Sequence, residues 1–269
     1  MTTISSVPLN WEDSDAWSTD LESLAPEVFN ESVIDCLTKE TPEYITSDDL
    51  SWLGRILPRD LRETYDLRSE VLGRLRSHFT HLVAYHGRRP ISLDSYRRTG
   101  IGPLDATDAH DELVQKVCGV SASGPTEKEV REACALADAT YRQGRVFFEA
   151  SRRHLLDFCG HYLLYGSEYA VGILLSISRY PDHAQLLKLQ GRPTLLTCNV
   201  PLRWLQQGTQ EELTGTLISA YFKKKLYSGY KHPQQCEGFG FEIYQTLTPE
   251  LINEVEYPEH VHDPIAVDA

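Results

Sequence analysis

Apolar positions along the chain recur with two different periods, and each change of period marks a predicted change of element. From Phe79 to His86 the residues alternate, with Leu82, Ala84 and His86 on one face and Val83 and Tyr85 on the other, as a strand requires. The run ends at Gly87, where backbone can approach a ligand closely. After Arg88, Arg89 and Pro90 turn the chain, Leu93, Tyr96 and Ile101 have the spacing of a short helix that Gly100 closes. Upstream, Trp11, Trp17, Leu21, Leu24, Val28, Phe29, Val33, Ile34 and Leu37 are too many apolar residues for a disordered tail. They predict one or two short helices within the first 45 residues. Ser47-Asp48-Asp49 reads as a cap before a helix that Pro58 stops, and Leu61 to Phe79 keeps a helical period as far as the strand.

Downstream, the pattern predicts a short helix within residues 102–119, a longer one from Pro125 to Gly144, a strand over RVFFEA (145–150) and a helix over 151–160. HYLLY (161–165) has the apolar and aromatic character of a strand, and Gly166-Ser167 breaks it before another helix. A buried strand over 191–202, an amphipathic helix over 213–229 and a strand over 237–247 follow. That strand turns at Thr248-Pro249 into a last helical turn. Strands and helices mix without the regular alternation of a doubly wound sheet, so the predicted class is α+β.

Composition narrows the setting. No run of 18 apolar residues occurs, and the first residues lack the basic and apolar regions of a signal peptide, so the expectation is a cytoplasmic protein with no membrane partner. The six cysteines lie far apart with no CxxC, as scattered reduced thiols do. The net charge of −13 is uneven: residues 1–50 carry −11 and residues 250–269 carry −6, leaving +4 for the middle. A mildly basic body between acidic ends suits an anionic dinucleotide and leaves no strong footprint for nucleic acid. Lys223, Lys224 and Lys225 read as a solvated helix face, and His260, His262 and Asp263 lack the further ligands a metal needs. No P-loop, GxGxxG, GxSxG or HExxH is present.

Three stretches carry candidate chemistry. The first is His86-Gly87 at the lip of its strand. The second is YLLYGSEY (162–169), whose Gly166 and Ser167 present Tyr165 at a pocket edge, with Tyr169 on the helix that follows. The third is GFGFEIYQTLTPELI (238–252), in which Glu242 shares a face with Gly240 and Tyr244, opposite Phe239, Phe241 and Ile243. A carboxylate there faces either water or a cleft, because burying it unpaired is costly.

VAYHG followed by an arginine, a turn, a short helix and a glycine resembles the first motif of the ADP-ribosyltransferase superfamily, in its diphtheria-toxin-like and poly(ADP-ribose) polymerase-like branch. The other two stretches resemble its later motifs in order. The resemblance spans residues 79–252. It implies a split β-sandwich of two packed sheets with NAD in the cleft, preceded by a helical N-terminal region over residues 1–78, with the catalytic domain over 79–269. It also implies roles. His86 holds an NAD ribose, Gly87 holds the nicotinamide carboxamide, Arg88 or Arg89 meets the pyrophosphate, and Tyr165 stacks on nicotinamide with Ser167 and Tyr169 beside it. Aligning RVFFEA with the middle motif instead gives the stacking place to Phe147. Glu242, or Glu237 as the alternative, stabilises the oxocarbenium-like transition state.

The implied activity is NAD-dependent mono-ADP-ribosyl transfer to a macromolecular acceptor, protein or nucleic acid, in a bacterial toxin, effector or phage-defence protein with an inhibitor or antitoxin partner. NAD glycohydrolysis, RNA 2'-phosphotransfer on a related fold, and a non-catalytic NAD-binding or interaction module are the alternatives.

Overall fold

The first three elements that the alternation and glycine spacing predicted around His86 form where expected. In the computed structural model, which describes residues 7–57, 66–177, 182–227 and 238–265, strand β2 (Phe79–Arg88) runs into a turn and a helix (Asp94–Thr99) closed by Gly100. Gly100 has φ 78°, and a Cβ there would sit 1.9 Å from the carbonyl oxygen of Leu247. Only glycine fits that place. The bond it leaves room for is an isolated bridge, Ile101 N donating to the Leu247 carbonyl at 2.8 Å and Leu247 N returning to Ile101 at 2.9 Å.

The protein is α+β. In chain order its elements are β1 (Val7–Asn10), α1 (Ser14–Leu24), α2 (Glu31–Lys39), α3 (Ser51–Gly54), α4 (Leu67–His78), β2, α5 (Asp94–Thr99), α6 (Ala106–Val117), α7 (Glu127–Leu136), β3 (Val146–Glu149), α8 (Arg152–Asp157), α9 (His161–Tyr165), α10 (Glu168–Ile177), α11 (Asp182–Gln185), β4 (Thr194–Pro201), α12 (Gln207–Leu226), β5 (Gly240–Ile243) and β6 (Ile252–Glu256). The described strands form one open sheet in the order β5-β3-β2-β4-β6, with β1 parallel to β2. The two packed sheets that the resemblance implies are therefore replaced by a single one. Part of the reason is local: HYLLY, expected as a strand, is the helix α9, and the expected last helical turn, which forms as a 3-10 turn over Pro249–Leu251, leads into an unforeseen strand, β6, antiparallel to β4.

The chain divides into two compact units, residues 1–83 with 200–241 and residues 84–199 with 242–269. In this division residues 200–241 group with the N-terminal part of the chain. The cause is α12, whose Leu217, Ile218, Tyr221 and Phe222 are fully buried. Within this first unit Phe29 meets Tyr221 edge-on at 4.9 Å, and Trp52 meets Phe222 edge-on at 5.6 Å. Trp17 donates through Nε1 to the Trp11 carbonyl at 3.0 Å. The acidic head and the basic end of α12 neutralise each other here: Lys224 lies 2.5 Å from Asp15, and Lys225 lies 2.9 Å from Glu22, which also accepts from the Tyr221 hydroxyl at 2.9 Å. The lysines expected to face solvent are thus partly paired, and α1 is held by its buried Trp17 and Leu21.

The second unit has its own core, in which Leu113, Val117, Val130, Tyr165, Ile173 and Leu174 of α6, α7, α9 and α10 pack together. It carries every candidate site residue except Glu237, which lies outside the described residues.

Candidate functional site

His86 lies near the end of β2, and its Nδ1 is 2.9 Å from the carbonyl oxygen of Phe147 on β3. A carbonyl only accepts, so Nδ1 carries the ring hydrogen. Burial, reinforced by the positive charge of Arg88, pushes the imidazole down to about 4. The ring is therefore neutral at physiological pH, and Nε2 is left as a lone-pair acceptor. Among the described residues Nε2 has no hydrogen-bond partner.

Gly87 has a different reason for being glycine from the one its sequence suggests. A Cβ at this position would lie 3.2 Å from both Tyr162 Cβ and Leu163 Cγ and 3.4 Å from Leu155 Cδ2. Helices α8 and α9 therefore rest directly on the strand beside His86, and a larger residue would displace them.

From this point a chain of contacts runs through the second unit. The Tyr162 hydroxyl donates to Glu168 Oε2 at 3.4 Å, Glu168 is ion-paired with Arg142, and Arg142 lies 5.8 Å over the Phe147 ring. Phe147 in turn holds His86. The partly exposed Phe147 ring is thus near the candidate histidine and in contact with a cation. Glu242, on β5, reaches Arg145 at 3.3 Å, and the same guanidinium lies 5.5 Å over the ring of Tyr244. Glu242 and Arg145 are both about a quarter exposed, at 27% and 26%. The carboxylate neither faces water freely nor is buried alone; it is held by one cation at the rim.

The remaining predicted residues make other contacts in the unit. Arg88, Tyr165, Ser167 and Tyr169 line one small cavity of about 40 Å³, together with Glu112 and Lys116. Its volume holds roughly one or two water molecules. Arg88 already faces Glu112 at 3.9 Å, which is itself 2.6 Å from Lys116. Arg89, the other arginine expected at a pyrophosphate, is committed to the fold: it donates to the carbonyls of Gln190 at 2.9 Å and Lys188 at 2.5 Å.

Tyr165 does not stand at the end of a strand. It closes α9, is 1% exposed, and its hydroxyl donates to Asp263 at 2.9 Å and accepts from Gln185 at 3.0 Å. Lys188 lies 4.6 Å over its ring. Ser167 accepts from Ala170 N at 3.4 Å at the start of α10, and Tyr169 is bonded to His110 Nε2 at 2.8 Å. The Tyr165 ring is thus buried in the core under the Lys188 ammonium, and its hydroxyl is engaged by Asp263 and Gln185.

Sequence reasoning missed Arg142, Arg145, Tyr162 and Glu168; Arg142 meets Glu168 26 positions away and Arg145 meets Glu242 97 positions away, contacts that no local pattern signals. It also missed a buried cluster behind β3. Glu149, 6% exposed, accepts from Ser151 N at 3.0 Å and pairs with His154 Nδ1 at 2.9 Å. Cys159 Sγ is 3.9 Å from the same Nδ1. This is not a Cys-His nucleophile. The nitrogen facing the thiol already serves a carboxylate, and burial, with Glu149 and Glu168 nearby, pushes the thiol up to about 11.

No protein-family model, curated protein or solved structure matches this chain. Among the described residues no helix is long and apolar enough to cross a membrane.

Proposed function

We propose that the chain is an NAD-dependent mono-ADP-ribosyltransferase on a variant of the ADP-ribosyltransferase fold. The observation that carries this reading is His86: a neutral imidazole whose Nδ1–H is spent on the Phe147 carbonyl, leaving Nε2 as an acceptor beside Gly87. An acceptor nitrogen with a fixed tautomer suits the hydroxyl of a ribose, which must donate to it.

In the reaction, the bond between ribose C1' and the nicotinamide nitrogen breaks, and its electron pair leaves with nicotinamide, which departs neutral. Positive charge develops on the ribose, and a carboxylate beside it stabilises that charge. Glu242 takes this role. It is held at the edge of the sheet by Arg145, which fixes its position. A nucleophile on the acceptor then bonds to C1' and passes its proton to the carboxylate. The aromatic contact for nicotinamide falls to Phe147 in preference to Tyr165, because Phe147 adjoins His86 and is partly exposed while Tyr165 is sealed in the core.

The test is nicotinamide release from NAD by the purified protein and by its Glu242→Gln and Phe147→Ala variants. The reading expects release by wild type, loss in Glu242→Gln, and a raised KM in Phe147→Ala. Release that is indifferent to Glu242 would overturn the assignment.

A further inference from the structure

Helices α7 and α10 leave an open groove of about 660 Å³ between them. Its floor is apolar, built from Ala133, Ile173 and Ile177. Leu136 is 88% exposed at its mouth, an unusual place for leucine in the last position of a helix. Gly172 lies in the interior of α10 on the same groove, and a Cβ there would meet nothing within 4 Å. Glycine costs a helix interior about 1 kcal/mol relative to alanine, and no packing among the described residues accounts for it. Open space over a glycine, next to an uncovered leucine, is the shape a partner's backbone fills at close range.

The rim supplies the charge. Glu129, Glu132, Asp138 and Glu168 line it with Arg142, the one lining cation among the described residues, and Arg142 is already paired with Glu168. Lys128 reaches Glu132 only at 3.8 Å with its side chain 84% exposed. An apolar floor under a negative rim complements a helix with an aliphatic stripe and lysine or arginine flanks. The groove also adjoins the candidate site, since Arg142 on its rim covers the Phe147 ring whose carbonyl holds His86.

We infer that this groove docks a basic amphipathic helix of a protein acceptor; that it serves an acceptor rests on the transferase reading, and that it binds such a helix does not. The probe is a fluorescein-labelled amphipathic Leu-Lys peptide, with a Leu-Glu peptide of the same pattern as its control, followed by anisotropy against wild type, Leu136→Asp and Glu132→Lys. Both positions are exposed, and circular dichroism checks that each variant is folded. Wild type binds the Leu-Lys peptide and not the Leu-Glu one, and each substitution weakens binding by about tenfold or more. Nicotinamide release without acceptor is measured in parallel. Release that persists while peptide binding is absent, or is indifferent to both substitutions, overturns the groove assignment alone. Peptide binding through the groove in a protein that releases no nicotinamide overturns the transferase reading and leaves the groove as a protein-docking surface.

Discussion

The Nδ1 of His86 donates to the Phe147 carbonyl across 2.9 Å, and that single bond decides which nitrogen of the imidazole faces outward. Because the ring titrates at about 4 and not at its ordinary 6.5, it is a permanent acceptor at neutral pH and no proton switch. The unfolded chain binds a proton on this residue between those two values and the folded chain does not. Stability from His86 is therefore fully present above pH 6.5 and is lost as the pH falls toward 4. Urea denaturation of wild type against His86→Asn from pH 4 to 7 should show a steeper loss in wild type at the acid end, and nitrogen-15 spectra should show a neutral Nδ1–H ring at pH 6. A protonated ring at that pH would contradict this.

Two glycines near the site should respond to a methyl group for different reasons. Gly87→Ala forces α9 off the strand by a few tenths of an ångström, where Tyr162 and Leu163 now stand 3.2 Å from the new atom. A loss of about 1–2 kcal/mol is expected from such overpacking. Gly100→Ala meets the Leu247 carbonyl at 1.9 Å with φ at 78°, so it must break the Ile101–Leu247 bridge. The expected cost is about 3 kcal/mol or more. Thermal melts order the two, and equal melting temperatures would refute the contrast.

Thiol reactivity follows burial. Cys36 is exposed, whereas Cys159 is pushed up to about 11 and Cys198, fully buried, is raised further. Native alkylation with iodoacetamide at pH 8, read by mass spectrometry, should modify Cys36 well before either of the others. Early labelling of Cys159 would mean that its thiol is a nucleophile after all.

Arg145 positions Glu242 more than it stabilises the fold. A pair this accessible contributes about 0–1 kcal/mol, so Arg145→Gln should leave the melting temperature nearly unchanged. Nicotinamide release should nonetheless fall roughly tenfold, mainly through kcat, as the carboxylate loses its fixed place. Arg145→Lys keeps the charge and should recover part of it. A loss of activity proportional to a loss of folded protein would assign Arg145 a structural role only.

Much of the fold around the site could be read in the chain. Strict alternation from Phe79 and the glycine at 100 gave β2 and α5, and the apolar period read over 213–229 gave α12, which starts earlier, at Gln207, and ends at Leu226. HYLLY misled because five residues are too few for a helix to reveal its period, and the decisive fact, Gly166 in the left-handed region at φ 85°, lies just beyond it. β1 buries only Leu9 and β6 buries none of its five residues, so neither strand carries an apolar signal. Of the candidate site, His86 and Gly87 were legible as a strand end. The Phe147 contact, the Arg145–Glu242 pair and the engagement of Tyr165 by Asp263 join residues 61, 97 and 98 positions apart, and no local pattern encodes such distances.

The central claim is tested most directly by nicotinamide release from NAD, followed by chromatography, for wild type beside Glu242→Gln and Glu237→Gln, each confirmed as folded. The prediction is steady release by wild type and by Glu237→Gln, with a loss of about 10²- to 10³-fold in Glu242→Gln. Folded wild-type protein that neither binds NAD nor releases nicotinamide would contradict it.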